Sequence, residues 1–505
     1  MVKPSRSERV AAADLLARRR SGVLMHPSSL PGRFGMGCIG GHARRFVELL
    51  AEAGQSVWQM LPIGPLGREL CPYVPMSSFA GNELLIDLED LLEEGLLSEG
   101  DLPASELEAG HVHEGELRAF YELALGRAFS RMRPEQRREM ERYRSENALW
   151  LEDYALYRAL HAKTLGVAWP DWPPGLSLRD AGAMAGLRQE LSAEMDAQVF
   201  RQWLFARQWR RLRDCARAKG VRLFGDLPLY VNQDSVDVWQ NPEAFALDAR
   251  GRAEFVTGVP GDPAFPQGQL WGHPCYDWER MAEDGYRYFV ERLRAQLELF
   301  DWVRIDHFRG LEAYWRVPAG ASDASAGSWQ PGPGADLFER VQAELGEAAL
   351  VAEDLGHITG PVRELLRRYA LPGMIVLHFA WWRIGSGFHP LRHRQARVVY
   401  TGTHDTNTTR GWFEDEITER ELRNWELWLG REVEDPAADL IGIAMDSPAK
   451  IAIVPAQDWF SLGSEARMNV PGVVGDLWAW RLTERQFLEW PVQRMRGLAE
   501  ESGRC

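Results

Sequence analysis

Eight short apolar runs recur along the chain, and each ends in polar residues or in a proline. Amphipathic stretches rich in Arg and Glu separate many of them, for example residues 289–299 and 362–369. This alternation predicts strands followed by helices, as in a (β/α)8 TIM barrel of the α/β class. The predicted strands are residues 22–26, 57–61, 221–226, 300–303, 350–354, 374–377, 398–401 and 451–454.

Two intervals are too long for a single connecting helix. Residues 87–215 are mostly helical in pattern, and we interpret them as a helical insertion on the barrel, with a separate helical domain as the alternative. Residues 228–278 are rich in Gly, Pro and aromatics and predict long irregular loops over a cleft. Residues 319–334 predict a mobile loop. We therefore expect one barrel over residues 1–505, with no separate C-terminal β-domain.

The composition excludes several kinds of partner. A net charge of −15 repels phosphate backbones, so nucleic acid is not an expected partner. No apolar run reaches the ~18 residues of a membrane span, and residues 1–20 are charged and lack the apolar core of a secretion signal. Five scattered cysteines without a C-x-x-C pair argue against a disulfide framework and predict a cytoplasmic location.

Three predicted strands end close to a carboxylate. Asp306 follows the fourth strand and is flanked by Arg304 and His307, Glu353 closes the fifth, and Asp405 follows the seventh. The C-terminal ends of barrel strands meet at one rim, which is where barrel enzymes carry their active sites. Taken singly, each carboxylate could instead form a salt bridge or cap a helix.

Two carboxyl groups on either side of a glycosidic bond are the minimum for retaining glycoside chemistry. The nucleophile must be ionised, and we expect Arg304 to lower the pKa of Asp306. The acid/base must hold a proton near neutral pH, which burial and a neighbouring carboxylate can achieve. Glu353, followed by Asp354, fits that requirement.

Ten short motifs, in this order, resemble those of glycoside hydrolase family 77, the 4-alpha-glucanotransferases of the α-amylase clan. The resemblance covers residues 21–481, nearly the whole chain. The motifs are SGVLMHPSSLPG (21–32), WQMLP (58–62), SFAGN (78–82), GDLPLYV (225–231), GQLWGHP (268–274), RIDHFRG (304–310), AEDLG (352–356), YTGTHD (400–405), PAQD (455–458) and RMNVPG (467–472).

The resemblance implies a role for each candidate residue. Asp306 matches the nucleophile, Glu353 the general acid/base, and Asp405 the third acid, which holds sugar hydroxyls at the −1 subsite. The remaining matches are substrate-binding or orienting residues: Arg304, which orients the nucleophile, Asp226 and His404 at the −1 subsite, Tyr73, which stacks on the −1 sugar, and Trp271 in the glucan cleft. Core packing is the alternative for Trp271, and His307 is a further candidate for contact with substrate.

The chain departs from the family pattern at three places. Residues 69–73 read E-L-C-P-Y where the family has G-D-S-P-Y, so Leu70 and Cys71 replace polar residues. Residues 258–264 read G-V-P-G-D-P-A in place of G-V-P-P-D-Y-F, which removes an aromatic pair from a loop over the acceptor sites. We expect this loop to make the enzyme leakier to water. Near the C-terminus, residues 475–478 read G-D-L-W where the family has G-N-W, and we predict no effect of this change.

The expected function is therefore transfer of α-1,4-glucan segments, with maltooligosaccharides or longer glucans as donor and acceptor. A glucan hydrolase of the same clan and a catalytically silent glucan-binding protein are the alternatives. Neither a cofactor nor a metal ion is predicted. Residues 35–40 fit G-x-G-x-x-G, but they stand too far from the preceding strand for dinucleotide binding. Pro390 lies between His389 and His393, which argues against a metal site on a helix.

Overall fold

The computed structural model describes residues 12–67, 69–102, 112, 114–261, 266–473, 475 and 477–505. In this part of the chain all eight predicted barrel strands are present, and four further strands form a second sheet. The strands are β1 Arg20–Leu24, β2 Val57–Gln59, β3 Arg222–Leu227, β4 Phe255–Val259, β5 Gln269–Pro274, β6 Trp302–Ile305, β7 Ala313–Pro318, β8 Ser328–Pro331, β9 Leu350–Ala352, β10 Gly373–Val376, β11 Arg397–Tyr400 and β12 Ile451–Pro455.

Helices follow most of the barrel strands and fill the interval between β2 and β3. They are α1 Ala12–Leu15, α2 Gly41–Glu52, α3 Leu88–Glu93, α4 Glu114–Ser130, α5 Pro134–Glu146, α6 Ala148–Lys163, α7 Pro174–Ser177, α8 Ala181–Glu190, α9 Ser192–Ala218, α10 Val236–Gln240, α11 Trp278–Glu283, α12 Arg287–Leu299, α13 Gly334–Leu345, α14 Gly360–Arg368, α15 Thr409–Asp415, α16 Glu419–Leu429, α17 Pro436–Asp446, α18 Ala456–Trp459, α19 Glu484–Leu488 and α20 Val492–Glu501. None of these described helices is long and apolar enough to cross a membrane.

The barrel is a parallel sheet in the order β10-β11-β12-β1-β2-β3-β6-β9. Strands β1 and β12, the first and last of the barrel along the sequence, pair directly, with Arg20 opposite Ile451 and Leu24 opposite Pro455. The seam between β9 and β10 is bridged by a hydrogen bond from the Ala352 amide to the Pro372 carbonyl, 2.9 Å long. The prediction of a (β/α)8 barrel is confirmed.

Alternate residues of each strand pack into two separate apolar layers. Val398 and Tyr400 belong to one buried cluster together with Phe224 and Trp302, whereas Val399 belongs to the other, larger cluster. This period of two follows from the opposite directions of successive strand side chains. The strands read as nearly continuous apolar runs because both faces of the barrel wall are buried.

An antiparallel sheet in the order β5-β4-β7-β8 lies outside the barrel sheet and was not predicted. Its strands β4 and β5 fall within residues 228–278, for which we expected irregular loops. Strand β8 falls within residues 319–334, so the expectation of a loop throughout that segment was wrong. The altered part of the β4–β5 connection, residues 262–265, lies outside the described residues.

Helices α3 to α8 lie within the interval 87–215, and α9 begins in it and ends at Ala218. Helix α9 holds the chain that follows β2. Gln202 holds both the amide and the carbonyl of Gly81, at 2.8 and 2.9 Å. Gln208 holds the amide and carbonyl of Asp87 in the same way, at 2.7 and 2.9 Å. Each buried glutamine thus satisfies both the N–H and the C=O of one buried residue.

Buried cations close the N-terminal end of the barrel. The Arg504 guanidinium donates to six main-chain carbonyls, those of Arg20, Ala444, Met445, Ser447, Ala449 and Lys450. Asp14 of α1 pairs with Arg20 at 3.0 Å and with Arg222 at 3.1 Å, which ties that helix to β1 and β3. The buried Leu15 follows and packs on the inner apolar cluster.

Candidate active site

The C-terminal ends of β3, β6 and β9 lie side by side and present three acids to one rim. Asp226 on β3 is opposite Arg304 on β6, and the Asp306 amide donates to the Leu227 carbonyl at 3.0 Å. One strand further, the Glu353 amide donates to the Ile305 carbonyl, also at 3.0 Å. The parallel register therefore brings together carboxylates that are far apart in the sequence.

Arg304 is buried between two of these acids. One guanidinium nitrogen donates to Asp226 Oδ2 at 2.5 Å, and the other lies 2.7 Å from Asp306 Oδ1. This fork fixes the direction of the Asp306 carboxylate, because a planar guanidinium restricts the geometry of both contacts. The neighbouring carboxylates raise the pKa of Arg304, although burial opposes them.

The pKa of Asp306 reflects burial as well as the contact with Arg304. Burial raises the pKa of Asp306 to about 6, with Arg304 opposing this and Asp226 and Asp405 adding to it. Arg304 thus acts in the expected direction, but its effect on the pKa of Asp306 is smaller than that of burial. Desolvation by the cleft walls outweighs the single cation, since burial disfavours the charged form. The carboxylate is still ionised at neutral pH and keeps 27% of its side-chain exposure.

Glu353 and its neighbour Asp354 face different environments. Burial raises the pKa of Glu353 to about 8, with Arg304 opposing and Asp306 adding to the effect. Asp354 points to the β9–β10 seam, where it accepts from the Met374 amide at 2.7 Å and pairs with Arg397. Glu353 is therefore protonated at neutral pH, while Asp354 joins two strands of the barrel wall.

Asp405 is held as an ion by the residues around it. Burial raises its pKa, but His404 at 3.2 Å and the Asn469 amide at 2.7 Å outweigh that and hold the pKa of Asp405 well below its ordinary range. An ionised carboxylate has about four acceptor positions, so Asp405 can still accept hydrogen bonds from the hydroxyl groups of a ligand.

Tyr73 links the two sides of the site. Its hydroxyl donates to Asp226 Oδ2 at 2.6 Å and contacts His404 Nε2 at 2.8 Å, and its ring stacks on the His404 ring. Burial raises the pKa of Tyr73 well above its ordinary value, so the hydroxyl stays a donor. Nearby Cys71 is half-buried, and burial raises the pKa of its thiol to about 11.

His307 and Trp271 form a separate aromatic contact beside Asp306. The two rings meet edge to face with centroids 4.7 Å apart, and His307 adopts a left-handed backbone with φ 45°. Burial lowers the pKa of His307 to about 3, so its ring is neutral. Trp271 is half-buried, packs against core residues and also contacts Tyr230, so it is both a packing residue and a neighbour of the acidic rim.

Sequence reasoning gave no role to two residues that the structure places in the site. Asn469 holds Asp405, and Trp478 lies 5.7 Å from the Tyr73 ring and 5.9 Å from the His404 ring. Asn469 lies in the motif at residues 467–472 and Trp478 in the segment 475–478. Their partners in the site are at least 64 residues away in the chain. Motif order alone does not indicate such contacts.

The structure explains two sequence features that are unrelated to the acidic rim, the glycine-rich residues 35–40 and the pair His389 and His393. Helix α2 begins at Gly41, and a Cβ on Gly40 would lie only 1.5 Å from the Asp87 carboxylate, so close packing accounts for that glycine. His393 contacts Ser447 and the Phe388 carbonyl rather than His389. Within the described residues there is no group of three His, Cys, Asp or Glu side chains placed to hold a metal ion.

Comparisons with known proteins match the chain over nearly its full length. A family model described as 4-alpha-glucanotransferase, of glycoside hydrolase family 77, matches residues 25–486. A 4-alpha-glucanotransferase of Thermus thermophilus is 42% identical over 499 residues, which is 96% of this chain and 99% of the relative. The chloroplastic/amyloplastic 4-alpha-glucanotransferase of Solanum tuberosum is 38% identical, with 96% and 87% covered. The solved amylomaltase of Streptococcus agalactiae in complex with acarbose superposes with a TM-score of 0.93 at 31% identity and covers 96% of this chain and 100% of that chain.

Proposed function

The chain belongs to glycoside hydrolase family 77, the 4-alpha-glucanotransferases, and from this premise we propose that it moves α-1,4-glucan segments between maltooligosaccharides or amylose chains. We propose a retaining double displacement through a covalent intermediate on Asp306. The observation that carries this proposal is the Arg304–Asp306 contact of 2.7 Å beside a Glu353 whose pKa is raised to about 8. One acid is ionised and aimed, and the other keeps a proton.

In the first displacement an Asp306 oxygen attacks the anomeric carbon of the donor glucan. Glu353 gives its proton to the leaving glycosidic oxygen, which departs as the 4-hydroxyl of the released segment. The bond formed is a β-glucosyl ester on Asp306, and Glu353 becomes a carboxylate. Arg304 loses none of its hydrogen bonds, since the second carboxylate oxygen remains available to it.

In the second displacement the ionised Glu353 takes the proton of an acceptor 4-hydroxyl. That oxygen attacks the anomeric carbon, the ester bond to Asp306 breaks, and the α-linkage is restored. Burial favours the neutral form of Glu353, so proton uptake at this step is favourable near neutral pH.

The other rim residues are proposed to hold the −1 sugar. Asp405, kept ionised by His404 and Asn469, accepts from ring hydroxyls and favours the distorted sugar. The Tyr73 ring is proposed to stack on that sugar. Asp226, which contacts Tyr73 and Arg304 together, fixes both residues. Trp271 and His307 are proposed to line the cleft beside Asp306.

Transfer and hydrolysis share the same intermediate, so the outcome depends on whether a sugar hydroxyl or water reaches it first. Residues that exclude water and stack an acceptor favour transfer. The connection that lacks the usual aromatic pair lies outside the described residues, and our proposal remains a transferase with raised hydrolysis.

Incubation with pure maltotriose tests the function. We expect glucose together with maltopentaose and longer products, separated by chromatography over time. Glucose and maltose in equal amounts, with no product longer than the substrate, would instead identify a hydrolase. A chain with no turnover that still binds maltotriose would be a binding protein.

We also propose that the helical segment 87–215 is an insertion on the single barrel, and that residues 228–278 contribute walls of the cleft. The contacts of Gln202 and Gln208 with the chain after β2 support the first proposal, since they tie α9 to the barrel. The cytoplasm is the proposed location, supported by five cysteines that are all free thiols.

A further inference from the structure

The motif at residues 455–458 takes no part in the proposed mechanism, yet it ends in a buried carboxylate. Asp458 lies on α18, just after the end of β12, and is 1% exposed. Its Oδ2 accepts from the hydroxyls of Thr401 and Thr409, at 2.5 and 2.7 Å, and its Oδ1 accepts from the Thr409 amide at 2.8 Å. Burial raises the pKa of Asp458, and these hydrogen bonds oppose the rise. One carboxylate thus joins two threonines that are eight residues apart in the chain.

These two threonines are the ends of the loop that carries two residues of the candidate site. Thr401 directly follows β11, and Thr409 is the first residue of α15. His404 and Asp405 lie between them, and we call residues 401–409 the rim loop. Because a single buried carboxylate binds both ends, it sets the distance across the base of the rim loop.

Close packing surrounds the base of the rim loop. His378 Nε2 lies 3.0 Å from the Thr409 hydroxyl oxygen, and the His378 ring stacks on Trp412 with centroids 4.7 Å apart. A Cβ on Gly402 would lie only 2.6 Å from the His378 ring, so the loop backbone passes close to that ring. Buried networks of this kind are rigid when their members are hydrogen-bonded. The base of the rim loop is therefore held in one arrangement as long as Asp458 binds it.

The tip of the rim loop is held by the chain that follows the same carboxylate. The Asn469 side chain donates to Asp405 Oδ1 at 2.7 Å. The Gln457 side chain donates to the Ala466 carbonyl at 3.1 Å, which ties the beginning of this segment to its later part. Residues 457–469 thus hold the rim loop at its base and at its tip, so the two attachments together determine where the Asp405 carboxylate stands.

We propose that Asp458 is a positioning residue for Asp405: it clamps the base of the rim loop so that the Asp405 carboxylate meets the hydroxyls of the −1 sugar. This inference rests on the proposed function for the role of Asp405. Asp458 acts through Asp405 and does not itself contact the sugar. Its effect on rate can be large, because a displacement of about 1 Å in a site can cost about 10²-fold.

The first test compares Asp458→Ala with Asp87→Ala on maltotriose. Asp87 is the matched control, because its buried carboxylate also accepts from backbone amides, those of Gly41 and Glu89, outside the rim loop. We expect kcat per folded molecule to fall about 100-fold for the first variant and to stay within twofold for the second, with the folded fraction measured by circular dichroism. An unchanged kcat in Asp458→Ala, or equal losses in both variants, overturns the proposal.

The second test asks whether the hydroxyl and the acid act through Asp405. Thr401→Val removes the donor and should lower kcat about 10-fold, whereas Thr401→Ser keeps the hydroxyl and should rescue at least half of the parent kcat. In a double-mutant cycle, D405N/D458A should turn maltotriose over within about threefold of D405N alone, because a positioning residue has nothing left to position. Losses that multiply, or equal losses in the Val and Ser variants, overturn the proposal.

A binding test separates this proposal from the proposed function. Calorimetry measures the Kd of maltotriose for D306N, D306N/D458A and D306N/D87A, where no turnover is needed. We expect the Asp458 change to raise Kd about fivefold, the loss of about one hydrogen bond to the sugar, and the Asp87 change to leave it unaltered. An equal Kd for all three variants, or an equal rise in both double variants, overturns the positioning role even if the parent enzyme disproportionates maltotriose. A parent enzyme without transfer products whose binding still depends on Asp458 overturns only the proposed function.

Discussion

Both ends of the barrel hold a buried arginine, but in opposite surroundings. At the acidic rim Arg304 contacts carboxylates, Asp226 at 2.5 Å and Asp306 at 2.7 Å. At the other end Arg504 donates only to main-chain carbonyls in its six hydrogen bonds. The pKa of Arg304 is raised, whereas burial lowers the pKa of Arg504 to about 9.

In the proposed mechanism, the charge of Arg304 serves the chemistry, whereas that of Arg504 serves the structure. Carboxylates around Arg304 keep it charged, and it in turn opposes the rise in the Asp306 pKa that burial causes. Carbonyl dipoles around Arg504 satisfy its donors and join β1 to α17 and to the chain that leads from α17 into β12. Changes at the rim should therefore affect rate, and changes at the opposite end should affect stability.

The largest expected contrast is between two aspartates. Asp306→Asn removes the proposed nucleophile and should lower kcat for maltotriose by at least about 10⁴-fold, with no loss of stability. Asp14→Asn weakens the contacts with Arg20 and Arg222 and should leave kcat within twofold. Initial rates and urea midpoints measure both. More than a hundredth of the parent rate in the Asp306 variant would contradict the covalent mechanism.

The second contrast exchanges the two arginines for lysine. Arg304→Lys cannot reach Asp226 and Asp306 together and should lower kcat by about 10²- to 10³-fold, because one ammonium does not replace a planar fork. Arg504→Lys should leave kcat unchanged. The comparison uses kcat per folded molecule, with the folded fraction measured by circular dichroism. Equal losses of kcat in the two variants would contradict the distinction between the two ends of the barrel.

The third prediction concerns stability. Arg504→Ala leaves buried carbonyls without donors and should lower the free energy of unfolding by about 2–4 kcal/mol. Arg45→Ala is the control, because Arg45 forms exposed pairs with Glu48 and Glu52 that contribute under about 1 kcal/mol. Urea denaturation followed by fluorescence measures both variants. A stability loss below that of the control would show that Arg504 is dispensable.

The smallest effect is the dependence on pH. In the proposed mechanism, Asp306 gains a proton below about pH 6 and can no longer attack, and above about pH 8 Glu353 loses the proton that it donates. The profile of kcat/KM should be a bell between these values, falling about tenfold per pH unit outside them. Arg304→Lys should move the acid limb upward, while Arg504→Lys should move neither limb. A flat profile from pH 5 to 9 would contradict both assignments.

Most of the barrel could be predicted because its strands are buried on both faces. Residues 398–400 form an apolar run that ends before Thr401, and residues 451–454 form one that ends before Pro455. Short runs of this kind are typical of strands that are buried on both faces. The antiparallel sheet could not be predicted in this way. Strand β4 contains Gly258, and β8 has four residues and ends at Pro331. Its central pairing, between β4 and β7, sets Gly258 opposite Trp315, which is 57 residues further along the chain, and no local pattern records such a pairing.

The candidate acids were predicted from strand ends, but the rise in the pKa of Asp306 was not. The pKa of Asp306 depends on how much water the cleft walls exclude, and neighbours in sequence do not report that. The separate directions of Glu353 and Asp354 follow from the strand period, yet only the three-dimensional contact with Met374 shows what Asp354 holds. Asn469 was missed because its partner Asp405 is 64 residues away.

The direct pairing of β1 with β12 has a consequence for the time course of synthesis. Arg20 and Ile451, which face each other, are separated by 431 residues. At about 5–20 residues per second, the first barrel strand waits roughly 20–90 s for its partner to be made. During that time one edge of β1 has no neighbour, and an open strand edge invites pairing with other chains. The slower the chain is made, the longer this edge of β1 stays open, so the last barrel strand ends a period of exposure that the first one begins.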